Sequence, residues 1–314
     1  MFGSREGLRM NRLSKRHFLK RDREGVASTV GTIMALLVFM TFLSMFTNSY
    51  IPVWMQDNER AHMNQVINQF ADLKGKIDSL IVTAQVTGST TIRMYSPITL
   101  GAQGIPVFAS PTAGLLTYSP QGKGDSGIYV RFNYSLDGTK TRVSESGGGM
   151  VELYAPNRYY VQQWVGYENG AMIVKQQDGQ VLRAWPSIEV EKIVSSITSI
   201  NIKFTQIDFI GTNASVGGTG TVGLNLNLVY IDSQEYAVGY GTDKYVNITF
   251  TTRYWTAWQQ YLGDLCSKAG LTYTADYLIN IQQVNDNVKT VTLWIKNAGT
   301  MTYNRAFMDV SVQI

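Results

Sequence analysis

The sequence predicts an α+β protein: a long N-terminal membrane or filament helix, then a mainly antiparallel β-sandwich-like head with one inserted helix. Three observations predict it. Val26 to Gln56 contains no charged residue. Met63 to Ile81 carries an apolar stripe of helical period, and past Val82 the apolar period switches to two.

The first helix follows from length and chemistry. A helix rises 1.5 Å per residue, so roughly 20 apolar residues cross a bilayer's hydrocarbon layer. The stretch 26–55 is longer than that, and Ile33 to Phe46 is nearly all apolar. It ends in bulky Tyr50, Pro52, Val53 and Trp54, which suit a membrane interface better than the small residues of a secretory cleavage site. Residues 1–25 hold eight Lys/Arg against three Asp/Glu, whereas 26–314 hold 19 against 20. The basic flank keeps the N-terminus in the cytoplasm and sends the rest across. The positive net charge of +4 is thus a property of the leader and not a nucleic-acid-binding patch. Pro52 predicts a kink or an end to the helix near Tyr50 or Ile51.

The segment 56–82 resumes helical period. Met63, Val66, Ile67, Phe70, Leu73, Ile77, Leu80 and Ile81 form one stripe on an otherwise polar helix, which predicts packing against the head.

The head, 83–314, reads as strands. Ile128, Val130, Phe132 and Tyr134 share one face, as do Val222 to Tyr230, Val246 to Phe250, Val291 to Ile295 and Met308 to Ile314, each taken at every second residue. Asp137-Gly138, Asn169-Gly170 and Asp178-Gly179 are hairpin turns. A phase slip after Phe204 predicts a β-bulge. Ser144–Gly149 and Gly211–Gly223 read as loops. Two sub-sheets, 83–157 and 158–314, are one way to divide the head. Tyr254 to Ala269 forms the inserted helix, with Trp255, Trp258, Leu262, Leu265, Cys266 and Ala269 on one side and Gly270 as its stop.

Histidine-based enzyme chemistry finds no purchase in the sequence, which leaves paired acidic residues of the glycosidase kind as the one open route to a hydrolase. Charged residues make up 16% of the chain, and there are two histidines and one cysteine. Gly218 to Gly223 fits a dinucleotide fingerprint, but an alternating strand follows where a helix is required. Gly124-Asp125-Ser126-Gly127 has no histidine base, since His17 lies in the leader and His62 on the amphipathic helix. No zinc set exists, and calcium at Asp125, Asp137 or Asp232 has no loop motif behind it. The expectation is no catalytic residue, no metal and no cofactor. Lone Cys266 reads as a buried small hydrophobe.

Lys20-Arg21-Asp22-Arg23-Glu24-Gly25 is followed at once by Val26-Ala27-Ser28-Thr29-Val30-Gly31-Thr32-Ile33-Met34-Ala35. This junction resembles that of archaeal type IV prepilins and related pilin-like surface proteins with class III signal peptides. Weaker likeness to their heads extends from Phe70 to Pro120. The resemblance implies cleavage between Gly25 and Val26 by a prepilin peptidase on the cytoplasmic side, with the apolar helix staying on the product. Val30 stands where the bacterial branch carries glutamate, which favours the archaeal type. An uncleaved signal anchor is the competing reading of the same segment.

Gly31 and Ala35, four apart, form a small-residue pair suited to close helix packing. Asn133, Asn213 and Asn247 head N-glycosylation sequons. The implied function is a pilin-like subunit of a surface filament or pseudopilus, partnered by its own copies or other pilin-like subunits, and by membrane lipid before assembly. The head would lie outside the cell and mediate adhesion or contact with a surface glycan or envelope component. The alternative is a single-pass, membrane-anchored extracellular binding protein that never polymerises.

Overall fold

A computed structural model describes residues 7–194, 198–239 and 244–313, with side chains placed from Val26 onward. The chain divides into two compact units, Met1–Met55 and Gln56–Ile314. Helix α1 runs from Gly7 to Thr87 with Pro52 inside it. The expected break at Pro52 is therefore absent. Proline removes one N–H from the ladder, but the residues beyond it are held by packing: Phe70, Leu73 and Ile77 are completely buried. Each such side chain contributes roughly 1.5–3 kcal/mol relative to exposure, which offsets one lost hydrogen bond. The leader from Gly7 on is helical backbone too, although no core periodicity marks it.

Among the described residues, sixteen strands and a second helix follow, in the order β1 (Arg93–Thr99), β2 (Gly114–Pro120), β3 (Gly127–Leu136), β4 (Thr139–Gly147), β5 (Gly149–Ala155), β6 (Gln163–Glu168), β7 (Ala171–Gln176), β8 (Gly179–Ala184), β9 (Ile188–Ile193), β10 (Ser199–Ile210), β11 (Ala214–Gly218), β12 (Thr221–Ala237), β13 (Tyr245–Thr252), α2 (Trp255–Lys268), β14 (Tyr277–Gln283), β15 (Lys289–Lys296) and β16 (Ala298–Gln313). They form three sheets with strand orders β1-β12-β16-β10-β9, β11-β2-β5-β6-β7-β8 and β14-β15-β13-β3-β4. Pairing is antiparallel except between β10 and β16. The head is thus mostly antiparallel sheet with one further helix, the predicted α+β class. No sheet boundary falls at 157/158, because the six-stranded sheet draws strands from both sides of it.

Two apolar cores organise the head. The first gathers the α1 stripe from Met63 to Ala84 with Leu116, Tyr118, Val151, Leu153, Phe209, Leu224, Leu226 and Met308. The second gathers Val130, Phe132, Phe204, Ile248, Phe250, Leu293 and Tyr303 with Trp258, Leu262 and Cys266 of α2. Phe250 stacks on Trp258 with ring centroids 4.0 Å apart. The stripe is packed as its period predicts, and so is the buried face of α2.

The first sheet serves both cores, and this explains the phase slip in β10. Ile200, Ile202 and Phe204 enter the second core, while Ile207 and Phe209 enter the first. Register with β16 is unbroken from Ile202 to Ile210, so no bulge follows Phe204; the irregularity lies earlier, between Ile200 and Ile202. The apparent slip is a strand passing from one core to the other, with opposite faces buried in turn.

The two predicted loops are also strand. Ser144–Gly147 closes β4, Gly149 opens β5, and Gly211–Gly223 contains β11 and the start of β12. Glycine is needed at 147 because a Cβ there would land on the Asp208 carboxylate, and Gly148 and Gly149 take φ of +105° and +112°. Asp137-Gly138 and Asn169-Gly170 have positive φ at both residues, the hairpin geometry their sequences predict.

Candidate functional site

The first unit presents an apolar helix surface. From Val26 to Tyr50 nearly every side chain is exposed. The segment beginning at Val26 is the one helix among the described residues long and apolar enough to cross a membrane. Three of its hydroxyls bond back to the helix: Thr32 donates to Thr29 O at 2.8 Å, Thr41 to Val38 O at 2.8 Å, and Thr47 to Leu43 O at 2.7 Å. Internal satisfaction of polar groups is what a lipid environment demands. Phe46 stacks on Tyr50 and meets Trp54 edge-on, both at 5.7 Å, which places three rings on one side at the segment's end. Aromatic rings gather in this way at membrane interfaces.

Gly25 and Val26 lie within the helical backbone of α1, and the side chains before Val26 fall outside the described residues. Gly31 and Ala35 are exposed, and nothing lies within 4 Å of a Cβ built at Gly31.

The three sequons separate. Asn213 is exposed in the β10–β11 connection. Asn133 and Asn247 are buried, at 2% and 6% exposure, although both fall on the polar phase of their strands. Strand alternation does turn both away from the core, but larger neighbours cover them. Arg142 Nε donates to Asn133 Oδ1 at 3.3 Å. Asn247 lies in register between Arg131 and Trp294.

Where α1 enters the head, Glu59 is completely buried. Its carboxylate accepts the Thr112 hydroxyl at 2.6 Å and the backbone N–H groups of Arg158, Tyr159 and Tyr160 at 3.0, 2.8 and 2.7 Å. Burial alone would raise this carboxyl, but the Thr112 hydroxyl and the three backbone donors outweigh it and hold it below the ordinary value. Glu59 sits four residues before Met63, on the phase of the apolar stripe. A charge at that phase was the sequence signal that could have singled it out.

A second buried polar cluster ties the two cores together. Glu168 accepts from Ser126 Oγ at 2.5 Å, Thr252 Oγ1 at 2.7 Å and Trp258 Nε1 at 3.0 Å. Burial pushes its carboxyl up, against the pull of those donors, and nearby Glu152 pushes the same way. Glu152 is held by Arg253 at 2.8 Å and by the Tyr254 hydroxyl. Ser126 is thus a structural donor. The glycine string at 218–223 likewise ends β11 and begins β12, with no helix after it.

A cleft of about 260 Å³ opens between the β8–β9 corner and α2. Leu182 and Leu265 line it, and Trp185, Gln260, Asp264 and Lys268 bring an indole, an amide, a carboxylate and an ammonium to it. Trp185 is 64% exposed, and Lys268 Nζ lies 4.9 Å from its ring centroid. Trp185-Pro186 at a strand corner was the only sequence trace of this cleft.

A family model described as a family of unknown function (DUF7289) matches residues 129–297, more than half of the chain. The chain belongs to the DUF7289 family. The DUF7289 match runs from β3 to the residue before β16 and takes in the cleft, α2 and most of the Glu168 cluster. It leaves out α1, β1 and β2. No curated protein and no solved structure matches the chain.

Proposed function

We propose that this DUF7289 protein is a type IV pilin-like subunit of a cell-surface filament or pseudopilus. Its leader is removed after Gly25, its apolar helix is held in the membrane and then in the filament, and its β-rich head is displayed outside the cell. The observation that carries this reading is the division of labour along α1. From Val26 to Tyr50 the helix is apolar and exposed, and from Met63 to Ala84 it is built into the first core. A helix of this kind would lock a displayed head to whatever holds its apolar end, whether lipid or neighbouring helices. The partners are copies of the chain or other pilin-like subunits, and the role is structural rather than catalytic.

The test exploits Gly31 and Ala35. Replacing both with Leu preserves apolar character, so membrane insertion survives. Overfilled helix contacts typically cost about 1–3 kcal/mol each, and a filament repeats that cost in every subunit. Normal export with loss of immunolabelled filaments in the double variant supports assembly. Wild-type cells with no filament bearing the protein, along the shaft or at the tip, count against it.

The Trp185 cleft favours one further reading: a single-pass anchored binding protein that does not polymerise. An exposed indole beside an amide and a carboxylate, over an apolar floor, suits a small ring-shaped ligand such as a sugar.

A further inference from the structure

Two loops beside Glu59 carry exposed apolar side chains. The first, 103–111, turns tightly between Ile105 and Ala109, whose backbones pair at 2.9 Å. It exposes Val107 completely and Phe108 by 44%. The second, 156–162, exposes Tyr159 and Val161.

Neither loop hangs free. Asn58 Nδ2 donates to Gln103 O at 3.2 Å, and Glu59 holds Thr112 and three successive N–H groups of the second loop. The Arg158 guanidinium joins the loops to each other, donating to Ser110 O at 2.9 Å and to Pro111 O at 3.1 Å. Both loops are therefore fixed to α1 at residues 58 and 59.

Those residues follow closely on the charge-free segment, which ends at Gln56. Two or three helical residues advance about 3–5 Å. Val107 is four residues from Gln103, a reach of at most about 14 Å. The polar interfacial layer of a bilayer is itself about 5–8 Å deep on each side. Chain connectivity thus leaves these side chains within reach of the interfacial region, provided the charge-free segment spans a membrane.

Val107 adds an independent observation. Its φ is +71°, a left-handed conformation that a β-branched residue takes only at a cost, and that glycine takes freely. The turn thus holds a disfavoured backbone and presents an isopropyl group with nothing over it. Backbone outliers of this kind mark working surfaces. Arg60 and Arg158 are exposed nearby, as is Asp57, and with the buried Glu59 carboxylate the charges beside the apolar tips balance.

We propose that loops 103–111 and 156–162 form an apolar collar that seats the head on lipid, with Val107 and Phe108 entering the bilayer's interfacial layer. This rests on the membrane-spanning reading of Val26–Gln56. Before assembly the collar would fix the head's height above the bilayer.

The test uses full-length protein in vesicles of phosphatidylcholine and phosphatidylglycerol at 3:1. Nitroxide labels are placed by Val107→Cys, with Phe108→Cys as a second position, Val38→Cys within the apolar segment and Leu136→Cys on an exposed hairpin. Native Cys266 is buried, and its thiol is pushed up to about 12, so it stays unlabelled. Relaxation by oxygen, which concentrates in lipid, is compared with relaxation by a water-soluble nickel complex. The collar predicts that oxygen dominates at 38 and 107, and nickel at 136. Nickel dominance at 107 with oxygen dominance at 38 overturns the collar and leaves the anchor standing. Shielding of 107 from both reagents means that protein covers it and also overturns the collar. Nickel dominance at 38 removes the membrane-spanning reading, and the collar falls with it.

Discussion

Glu59 Oε2 accepts the backbone N–H of Tyr160 at 2.7 Å across 101 residues of chain. Through this bond and its neighbours, a single helical carboxylate anchors a loop of the β head. The arrangement has a definite pH dependence. The Glu59 carboxyl is lowered from an ordinary value of about 4.5. A group with a depressed folded value contributes stability that is fully present above the unfolded value and is lost as pH falls through the folded one.

Glu59→Ala should therefore destabilise the head at neutral pH by about 3 kcal/mol, because it leaves buried donors unpaired. Hydrogen exchange at the amides of Arg158, Tyr159 and Tyr160 is the direct readout. Protection factors there should fall in the variant at pH 7, and in the wild type only below pH ~4.5. Unchanged protection in the variant would show that the loop is held by other means.

Glu168 should behave in the opposite sense. Its folded value is raised, chiefly by burial, so its contribution to stability falls as pH rises from about 4.5 through the folded value. Glu168→Gln keeps an oxygen for Thr252 and Trp258 and offers an amide to Ser126, whose own hydrogen can go to Gly149 O, 3.3 Å away. Denaturant titration should find this variant within about 1 kcal/mol of wild type at pH 7, with a flatter pH profile. Glu168→Leu strands the Thr252 and Trp258 donors and should lose on the order of 2–4 kcal/mol. A Gln variant as damaged as the Leu variant would show that the carboxylate itself is required.

The sequons make a positional prediction. Asn213 is exposed, while Asn133 and Asn247 are covered. Glycopeptide mapping of protein from its native cells should find sugar at Asn213 and not at the other two. Sugar at Asn247 in folded protein would contradict the packing of β13 between β3 and β15.

The legible parts of this fold are those where one face is wet and the other dry. The stripe from Met63 to Ile81 and the alternation at Val130, Val246 and Leu293 report burial through a simple period. Period fails where both faces are covered, so β10 looked bulged while its two faces were serving two cores. It fails equally at Asn133 and Asn247, where the polar phase points to a face roofed by larger neighbours. Pro52 was misleading because proline chemistry is local, whereas the helix beyond it is held by contacts with strands far along the chain. The cleft at Trp185 joins a strand corner to α2 and leaves only Trp185-Pro186 as a local trace, and the loop that Glu59 holds leaves none. The apolar helix needed no tertiary information, since a charge-free run of that length is by composition alone long and apolar enough to cross a membrane.

The most direct measurement is the N-terminus of the mature protein. Peptide mass mapping of native, surface-exposed protein should begin at Val26, with nothing from residues 1–25, and Gly25→Val should block that cut because a branched side chain obstructs the protease at the backbone. Intact Met1 on protein recovered from the cell surface would contradict the pilin-like account.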